Sequence, residues 1–335
     1  MKRMAPLSLG VRWKHRGTVA SVELHSMTRY SPYAALLDRI PVERHEISVL
    51  GSSTRYWVYG PEDAATTIVI AHGYRGDHHG LEPVIAQLPG IRWIGPDMPG
   101  FGESTPLTEV PHSVAGFSQW LTTFIDLLGL TGTAVTLGHS FGTIISSHAV
   151  AGGLPTPTLI LVNPISASAH NGPSRFATWI TVAFYRLAAK LPNRVGHFLL
   201  SRWIIVQFMS STLAKTKDKQ LRKWIHAEHH TYFNNFASRD SVVEAFEASV
   251  GNDVSDFAAK ITIPTLLVAA ELDDITPVQA HHELVKQMPD VSLTVLEGVG
   301  HLIHYEVPEL AAKAIGEFLE RQGYDIGAIE EPRAT

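Results

Sequence analysis

A short pattern of glycine, serine and glycine constrains the fold of this chain more than any other feature. The pattern is Gly138-His139-Ser140-Phe141-Gly142, and it lies between an uncharged run that ends at Leu137 and a helix-compatible run from Thr143 to Val150. This order predicts a strand, a sharp turn and a helix. A serine on such a turn adopts strained backbone geometry that lifts its hydroxyl clear of the sheet, and flanking glycines remove side chains that would collide there. Ser140 is therefore the candidate nucleophile.

The uncharged segment around this pattern predicts the middle of a parallel sheet. No Asp, Glu, Lys or Arg occurs from Leu127 to Ser174, yet glycines and prolines interrupt the segment. A membrane span needs about 20 apolar residues without such interruptions. We therefore predict two central strands, Thr133 to Leu137 and Thr158 to Val162, joined by a helix, because strands covered on both faces carry no charge.

Strand-like and helix-like segments alternate along most of the chain, which predicts an α/β fold with right-handed crossovers. A hairpin is predicted first, from Arg44 to Leu50 and from Thr54 to Tyr59 across Gly51-Ser52-Ser53. Further strands are expected at Thr67 to Ala71, Arg92 to Gly95, Pro264 to Ala270 and Val291 to Leu296. Helices are expected at Leu81 to Leu88, Ser113 to Leu128, Pro277 to Met288 and Pro308 to Arg321.

The alternation divides the chain into four regions. Residues 1–40 form a basic leader, residues 41–163 and 264–322 form the α/β core, and residues 164–263 form a helical insertion with few strand signals. Residues 323–335 carry mixed charge and no amphipathic period, so they are predicted to be a flexible tail. We expect residues 164–263 to form a cap on the core.

Polar residues follow three of the other predicted strands. His72-Gly73-Tyr74-Arg75-Gly76 follows the first of them, Asp273 the second and His301 the third. The carboxyl ends of parallel strands meet at one edge of a sheet, so these residues are expected near Ser140. The order along the chain is serine, acid, histidine.

This order of motifs resembles that of the α/β-hydrolase superfamily, in particular its serine-type members with a helical cap, such as esterases, lipases and carbon-carbon bond hydrolases. The resemblance covers roughly Glu43 to Gln322 and includes the loop Asp97-Met98-Pro99-Gly100-Phe101-Gly102-Glu103-Ser104. The chain departs from the family pattern at Ala270, where glycine is frequent, and at Tyr74-Arg75. The resemblance implies a mostly parallel central sheet with helices on both faces and a helical cap insertion.

The resemblance also implies a role for each candidate residue. Ser140 is the expected nucleophile, His301 the base that takes its proton, and Asp273 the acid that orients the imidazole. The backbone N–H groups of Tyr74 and Phe141 are expected to form the oxyanion hole.

Other polar residues compete with these assignments. Asp274 is the alternative to Asp273 as the acid, and His304 is the alternative to His301 as the base. Asp97 is expected to brace turns near the oxyanion loop rather than to react. The pairs His78-His79 and His281-His282 are expected to be loop or solvent-facing histidines.

A cluster of histidines in the predicted cap suggests a metal site. His226, His229 and His230 share one helix face, with Glu228 nearby. Nothing completes a ligand set, so a solvated helix is the favoured interpretation. No metal or other cofactor is expected.

Composition excludes several classes of function. The net charge of −5 provides no basic field for nucleic acid, and the absence of cysteine rules out disulfides, a thiol nucleophile and thiolate metal sites. The apolar stretch from Ala5 to Val11 is too short for a secretory signal. We therefore expect a cytoplasmic protein that does not bind nucleic acid.

Positive charge and large apolar side chains are concentrated together in the predicted cap. Ten Lys or Arg residues but only one acid, Asp218, occur from Arg175 to Lys223. This pattern suits an amphipathic substrate with an acyl chain, or transient contact with an anionic lipid surface. Ordinary cap packing is the alternative. A core role is equally expected for each of the candidate pocket residues, which are Trp179, Phe184, Trp203 and Phe208.

The combined expectation is a serine hydrolase that cleaves a carboxylic ester of an apolar or lipid-like small molecule through an acyl-enzyme. A carbon-carbon bond hydrolase or an acyltransferase of the same fold is the alternative enzyme, and a ligand receptor without catalysis is the alternative class. Dehalogenases and epoxide hydrolases of similar fold use a carboxylate at the position of Ser140, which disfavours those reactions. The sequence predicts no particular oligomeric state.

Overall fold

An eight-stranded sheet organises the fold. The computed structural model describes residues 31–167 and 175–327, with the backbone alone for residues 175–178. The strands are β1 (Val42–Val49), β2 (Ser52–Tyr59), β3 (Thr67–Ala71), β4 (Arg92–Pro96), β5 (Val135–His139), β6 (Leu159–Val162), β7 (Thr265–Ala270) and β8 (Val291–Leu296). They lie side by side in the order β1-β2-β4-β3-β5-β6-β7-β8. Pairing is antiparallel from β1 to β2 and from β2 to β4, and parallel across the rest of the sheet.

Helices follow most of these strands. In the described parts of the chain they are α1 (Ala34–Leu37), α2 (Glu82–Ile85), α3 (Val114–Leu127), α4 (Phe141–Ala151), α5 (Arg175–Lys190), α6 (Asn193–Leu200), α7 (Trp203–Leu213), α8 (Lys219–Tyr232), α9 (Arg239–Gly251), α10 (Val278–Val285), α11 (Ile303–Glu306) and α12 (Pro308–Arg321). Helices α5 to α9 lie between β6 and β7, within the predicted helical insertion. No helix in these ranges is both long and apolar enough to cross a bilayer.

Both faces of the sheet are covered, as the uncharged strands predict. Alternate residues of β3 point to opposite faces, so Val69 joins a core cluster with α3 and α4, and Ile68 joins a second cluster with α2 and α12. Strands β5 and β6 pair in parallel, with α4 connecting them. The expected fold class, a mostly parallel α/β-hydrolase sheet with helices on both faces, is confirmed.

Several strand boundaries differ from the sequence prediction by one or two residues, most clearly in the hairpin and at β5. Val49 pairs with Ser52, so the hairpin turn is only Leu50-Gly51, and both turn residues have positive φ, 48° and 77°. A two-residue turn of this kind matches the twist of the flanking strands. Strand β5 begins at Val135, not at Thr133, because the N–H groups of Thr133 and Ala134 still bond to the carbonyl of Leu130.

Parts of the predicted insertion and tail pack into the core. Val254 and Ile261 are buried in the cluster beside β6 and β7, so the end of the insertion belongs to the sheet layer. Ile326 is buried as well, and the Thr66 hydroxyl donates a 2.5 Å hydrogen bond to the carbonyl of Asp325. Residues 323–327 are thus ordered by contacts that the sequence prediction of a loose tail missed. The rest of that tail, 328–335, and leader residues 1–30 lie outside the described residues.

Helix α4 crosses β3 so closely that only glycine fits at the contact. A Cβ atom on Gly142 would lie 1.9 Å from the carbonyl oxygen of Ala71 and 2.8 Å from that of His72. A Cβ on Gly138 would lie 2.5 Å from the carbonyl oxygen of Gly142. The two glycines of the sequence pattern therefore permit the sharp turn between β5 and α4, as predicted.

Replacing Gly142 by alanine tests this contact. We expect Gly142→Ala to lower the free energy of unfolding by about 3 kcal/mol, because the added methyl group forces helix and strand apart. Urea denaturation followed by circular dichroism measures the change. Gly251→Ala is the control: nothing lies within 4 Å of its new Cβ, so its stability should stay within about 1 kcal/mol of wild type. Equal stability of the two variants would contradict the close-contact explanation.

Candidate active site

The turn at Ser140 holds a serine in a conformation that serine rarely adopts. Its φ is 51° and its ψ is −117°, a region that costs about 1 to 3 kcal/mol for a residue with a side chain. Neighbouring groups fix it there: its N–H donates to the carbonyl of Val162 at 3.0 Å, and the hydroxyl of Thr143 donates to its carbonyl at 2.6 Å. The side chain is half-buried, so solvent still reaches it.

A continuous chain of hydrogen bonds runs from this serine to a carboxylate. Ser140 Oγ lies 2.8 Å from His301 Nε2, and His301 Nδ1 lies 2.7 Å from Asp273 Oδ2. An ionised carboxylate only accepts, so Nδ1–H donates to it and Nε2 is left to accept from the serine hydroxyl. The three residues follow β5, β8 and β7, and the structure brings them together at one edge of the sheet as the sequence predicts.

Asp273 is held in its ionised form by its surroundings. Burial raises its pKa, but the charge and hydrogen bond of His301 and the backbone N–H groups of Ile275 and Thr276 lower the pKa more, to a net value below the ordinary one. The Ile275 N–H donates at 2.8 Å to Oδ1, and the Asn163 amide donates at 3.3 Å to Oδ2. The carboxylate therefore stays negative at neutral pH and fixes the imidazole.

The two competing residues occupy different surroundings. Asp274 is half-exposed and forms an ion pair with Lys215 from the loop after α7, whereas His301 Nδ1 bonds to Asp273. His304 is buried with its ring 4.2 Å from that of His139, and burial lowers the pKa of both, that of His139 to about 3. These neutral imidazoles place no further positive charge next to His301, whose ring lies 6.1 Å from that of His139.

The predicted oxyanion donors belong to the residue after the serine and to a loop that contacts the serine. Phe141 is the first residue of α4, where backbone N–H groups have no partner within the helix. Across residues 31–167 and 175–327, neither its N–H nor that of Tyr74 donates to a protein acceptor. A Cβ on Gly73 would lie 3.3 Å from the Cβ of Ser140, so the loop that carries Tyr74 contacts the turn.

His72 braces this loop, a role that the sequence analysis did not assign to it. Its Nδ1 donates to the carbonyl of Gly73 at 2.8 Å, and its Nε2 accepts the N–H of Met98 at 2.7 Å. One ring nitrogen is a donor and the other an acceptor, which selects a single neutral tautomer. Burial, the largest effect, lowers the pKa of His72 and favours that neutral form.

Asp97 has the bracing contacts that the sequence analysis expected. It is fully buried, and its Oδ1 accepts both the backbone N–H of His78 at 2.9 Å and the ring Nδ1 of His78 at 2.7 Å. Its Oδ2 accepts the N–H of Glu103 at 2.8 Å. Of the histidines expected to be in loops or to face solvent, His78 and His281 do not face solvent: both are buried, His78 stacks on Trp57, and His281, on α10, bonds to a serine hydroxyl.

The histidine cluster on α8 holds two helices together. His226 and His229 both contact the Ser210 hydroxyl of α7, at 2.6 and 2.7 Å, and His230 bonds to Gln207 of the same helix at 2.8 Å. One nitrogen of each ring, Nδ1 of His226 and His229 and Nε2 of His230, thus has a partner on α7. The cluster thus fits a role in packing α7 against α8.

The candidate pocket residues of the predicted cap do not share one environment. Phe184 is half-buried against the ring of Tyr185, at 5.7 Å between centroids. Trp179, Trp203 and Phe208 have more than half of their surface exposed. A core role therefore fits Phe184 better than it fits the other three.

Arg75 is the least expected residue beside the site. Its φ is 61°, and only 1% of its surface is exposed. The guanidinium lies 5.0 Å from the centroid of the Phe236 ring. Its acceptors, at 2.8 to 3.1 Å, are the carbonyls of Phe233 and Leu200, the Tyr185 hydroxyl and the Asn234 side chain. None of them is a carboxylate, and all belong to the helical insertion, so Arg75 joins the loop after β3 to that insertion.

The sheet order, the covered faces and the turn at Ser140 define the chain as an enzyme of the α/β-hydrolase superfamily. Within that superfamily, residues 62–308 match the sequence model of the family described as serine aminopeptidase, S33, and the chain belongs to this family. The superfamily predicted from the order of motifs is confirmed. The chain thus belongs to a family of hydrolytic enzymes.

Individual relatives are distant but similar over most of their length. The chain is 25% identical to the pimeloyl-(acyl-carrier protein) methyl ester esterase of Aeromonas hydrophila, over 75% of this chain and 94% of the relative. It is 22% identical to the 2-hydroxy-6-oxononadienedioate/2-hydroxy-6-oxononatrienedioate hydrolase 1 of Dechloromonas aromatica, over 74% and 82%. The enol-lactonase of Burkholderia xenovorans shares the fold, with a TM-score of 0.68 at 17% identity over 82% of this chain and all of that one.

Replacing Arg75 tests its structural role. We expect Arg75→Met to lower the free energy of unfolding by about 3 kcal/mol, because several buried acceptors lose a charged donor at once. Chemical denaturation provides the measurement. Arg44→Met, which removes an exposed arginine paired with Glu103, is the control and should change stability by less than about 1 kcal/mol. A similar decrease in the free energy of unfolding in both variants would contradict this structural role of Arg75.

Proposed function

We propose that the protein is a serine hydrolase that cleaves carboxylic esters with a substantially apolar acyl or alcohol part, through an acyl-enzyme. The observation that carries the proposal is the hydrogen-bonded series from Ser140 Oγ through His301 to Asp273, with contacts of 2.8 and 2.7 Å. A serine hydroxyl is a poor nucleophile at neutral pH, and this arrangement supplies both the base and the group that orients it.

The first half of the proposed reaction forms the acyl-enzyme. Ser140 Oγ attacks the ester carbonyl carbon while its proton passes to His301 Nε2, and Asp273 stabilises the resulting imidazolium. The carbonyl oxygen becomes negative and accepts the N–H groups of Phe141 and Tyr74, each such donor contributing about 3 kcal/mol. When the carbon–oxygen ester bond breaks, His301 returns its proton to the departing alcohol.

The second half releases the acid. Water gives a proton to His301 and attacks the acyl carbon, and the same N–H groups stabilise the negative oxygen again. Collapse of this intermediate breaks the bond to Ser140 Oγ, which recovers its proton from His301. The serine and histidine are thereby restored, and no group outside the chain, the ester and water is needed.

Two observations support an ester with an apolar part as the substrate. One of the relatives described above is named a methyl ester esterase, at 25% identity. The helical insertion next to the site also exposes aromatic and aliphatic side chains, with Phe208 at 68% and Trp203 at 59%. Apolar protein surface favours apolar substrate groups because contact between them removes both from water.

Loss of the Ser140 hydroxyl tests the proposal. We expect a fluorophosphonate probe to label the wild-type protein and not Ser140→Ala, with turnover of nitrophenyl esters falling by about a millionfold in the variant. Mass spectrometry locates the adduct, and absorbance follows the released nitrophenol. Ser147→Ala is the matched control, since its hydroxyl lies on α4 and has no hydrogen-bond partner in the part of the chain that the structure describes. An unlabelled wild-type protein would instead support a receptor without catalysis.

The same assay separates the alternative reactions. Nitrophenyl esters of increasing acyl length should be hydrolysed, with longer chains favoured. A carbon-carbon bond hydrolase would prefer a ring-fission dienoate over all of them. An acyltransferase would give mainly the new ester when a competing alcohol is added, which product analysis detects. Either result would replace ester hydrolysis as the proposed reaction.

Replacing the two neighbouring aspartates tests the identity of the acid. We expect Asp273→Asn to lower kcat by about ten-thousandfold, because an amide at this position no longer stabilises the imidazolium or selects its tautomer. Asp274→Asn removes the charge of a half-exposed carboxylate that pairs with Lys215, and it should leave kcat near wild type. Steady-state kinetics on one nitrophenyl ester compare them. A larger loss in Asp274→Asn would reverse the assignment.

A further inference from the structure

Helices α5, α6 and α7 expose an unusual amount of apolar surface. Eight of the twelve large apolar side chains that are exposed in the described residues lie on these three helices, with exposed fractions of 49% to 68%. They are Trp179, Ile180, Leu187, Val195, Phe198, Trp203, Ile204 and Phe208. Soluble proteins rarely concentrate such residues, and a concentration of this kind marks an interaction site.

These helices already bury another face against the protein. Tyr185 of α5, Leu200 of α6 and Val206 of α7 are at most 2% exposed. On α5 the exposed Ile180 and Leu187 are seven positions apart, and on α7 Ile204 and Phe208 are four apart, so each pair shares one helix face. Packing against the protein therefore accounts for the apolar residues on the buried side of each helix. It does not account for the apolar residues on the exposed side.

Positive charge accompanies the exposed apolar side chains. Arg186, Lys190, Arg194 and Arg202 are exposed on or beside the same helices, and no acidic residue occurs between Arg175 and Lys217. The Arg202 guanidinium lies 4.8 Å from the centroid of the Phe198 ring, so cation and apolar group are adjacent.

The net charge of the rest of the chain, its basic leader included, has the opposite sign. Outside residues 175–223 it carries 17 Lys or Arg and 31 Asp or Glu, against ten and one inside that segment. A negatively charged surface would therefore repel most of the protein and attract this segment. The charge distribution favours one orientation, with these helices towards the surface.

We propose that α5, α6 and α7 dock the protein on the surface of an anionic lipid bilayer. The apolar side chains enter the boundary between headgroups and acyl chains, and the cations bind lipid phosphate and carboxylate groups. A second copy of the chain fits this face less well, because a symmetric contact would bring the same cations together. Docking is a binding property and does not require ester hydrolysis, so each can fail without the other.

Sedimentation with lipid vesicles tests the proposal on the full chain. We expect binding to vesicles of phosphatidylcholine mixed with phosphatidylserine, much weaker binding to phosphatidylcholine alone, and release by added salt. Each cation removed should weaken the partition coefficient about fivefold, so Arg186→Glu and Arg194→Glu should weaken it at least that much. Ile204→Ser with Phe208→Ser should also weaken binding, because apolar contact is lost.

Matched controls lie on α12. Lys313→Glu makes the same charge change as the arginine variants at an exposed site, and Leu310→Ser removes an apolar side chain that is 46% exposed. Both should bind vesicles as wild type does, and circular dichroism verifies that every variant is folded. The proposal is overturned if binding is equally strong with and without phosphatidylserine. It is also overturned if the control variants on α12 lose as much binding as the variants on α5, α6 and α7. So does a concentration-dependent dimer in light scattering that Phe208→Ser abolishes, since it assigns the face to a second copy.

Discussion

The strained backbone of Ser140 is the constraint on which the site depends. A serine with φ of 51° and ψ of −117° does not stay there by its own preference, so the surroundings must fix it. The carbonyl of Val162 in the neighbouring strand and the hydroxyl of Thr143 in the following helix do so. The glycines at 138 and 142 allow strand and helix to approach closely enough for these bonds. The site therefore draws its geometry from the middle of the sheet, the most buried part of the molecule.

Around this turn, the site is formed by loops that are held in place by the hydrogen bonds of two buried side chains, His72 and Asp97. His72 connects the loop after β3 to Met98, and Asp97 connects the loop after β4 to His78 and Glu103. Each brace is buried and uses charge or a fixed tautomer, which makes its hydrogen bonds strong and directional. Loops on a surface are usually mobile, but these two are joined to each other by buried hydrogen bonds.

The sequence predicted much of this arrangement, for physical reasons that also explain its failures. Strands such as Thr67–Ala71 and Val291–Leu296 were predicted with their observed ends, because apolar runs bounded by turn residues are local signals. The turn at Leu50 was missed because leucine rarely adopts a positive φ, so its presence in the sequence does not indicate such a turn. Asn163, next to Asp273, could have been found as a polar residue directly after a buried strand. Arg75 could not, because its acceptors lie more than a hundred residues away in sequence.

The buried guanidinium of Arg75 couples two parts of the molecule that perform different tasks. Tyr74, the residue before Arg75, carries one of the proposed oxyanion donors. The hydrogen bonds of the Arg75 guanidinium reach three segments of the helical insertion. A displacement of those helices must either break bonds to the guanidinium or pull the loop along. If the insertion moved to admit a molecule, the N–H of Tyr74 would move with it, away from the reacting oxygen. An enzyme with its insertion open would then lack one of its two proposed oxyanion donors.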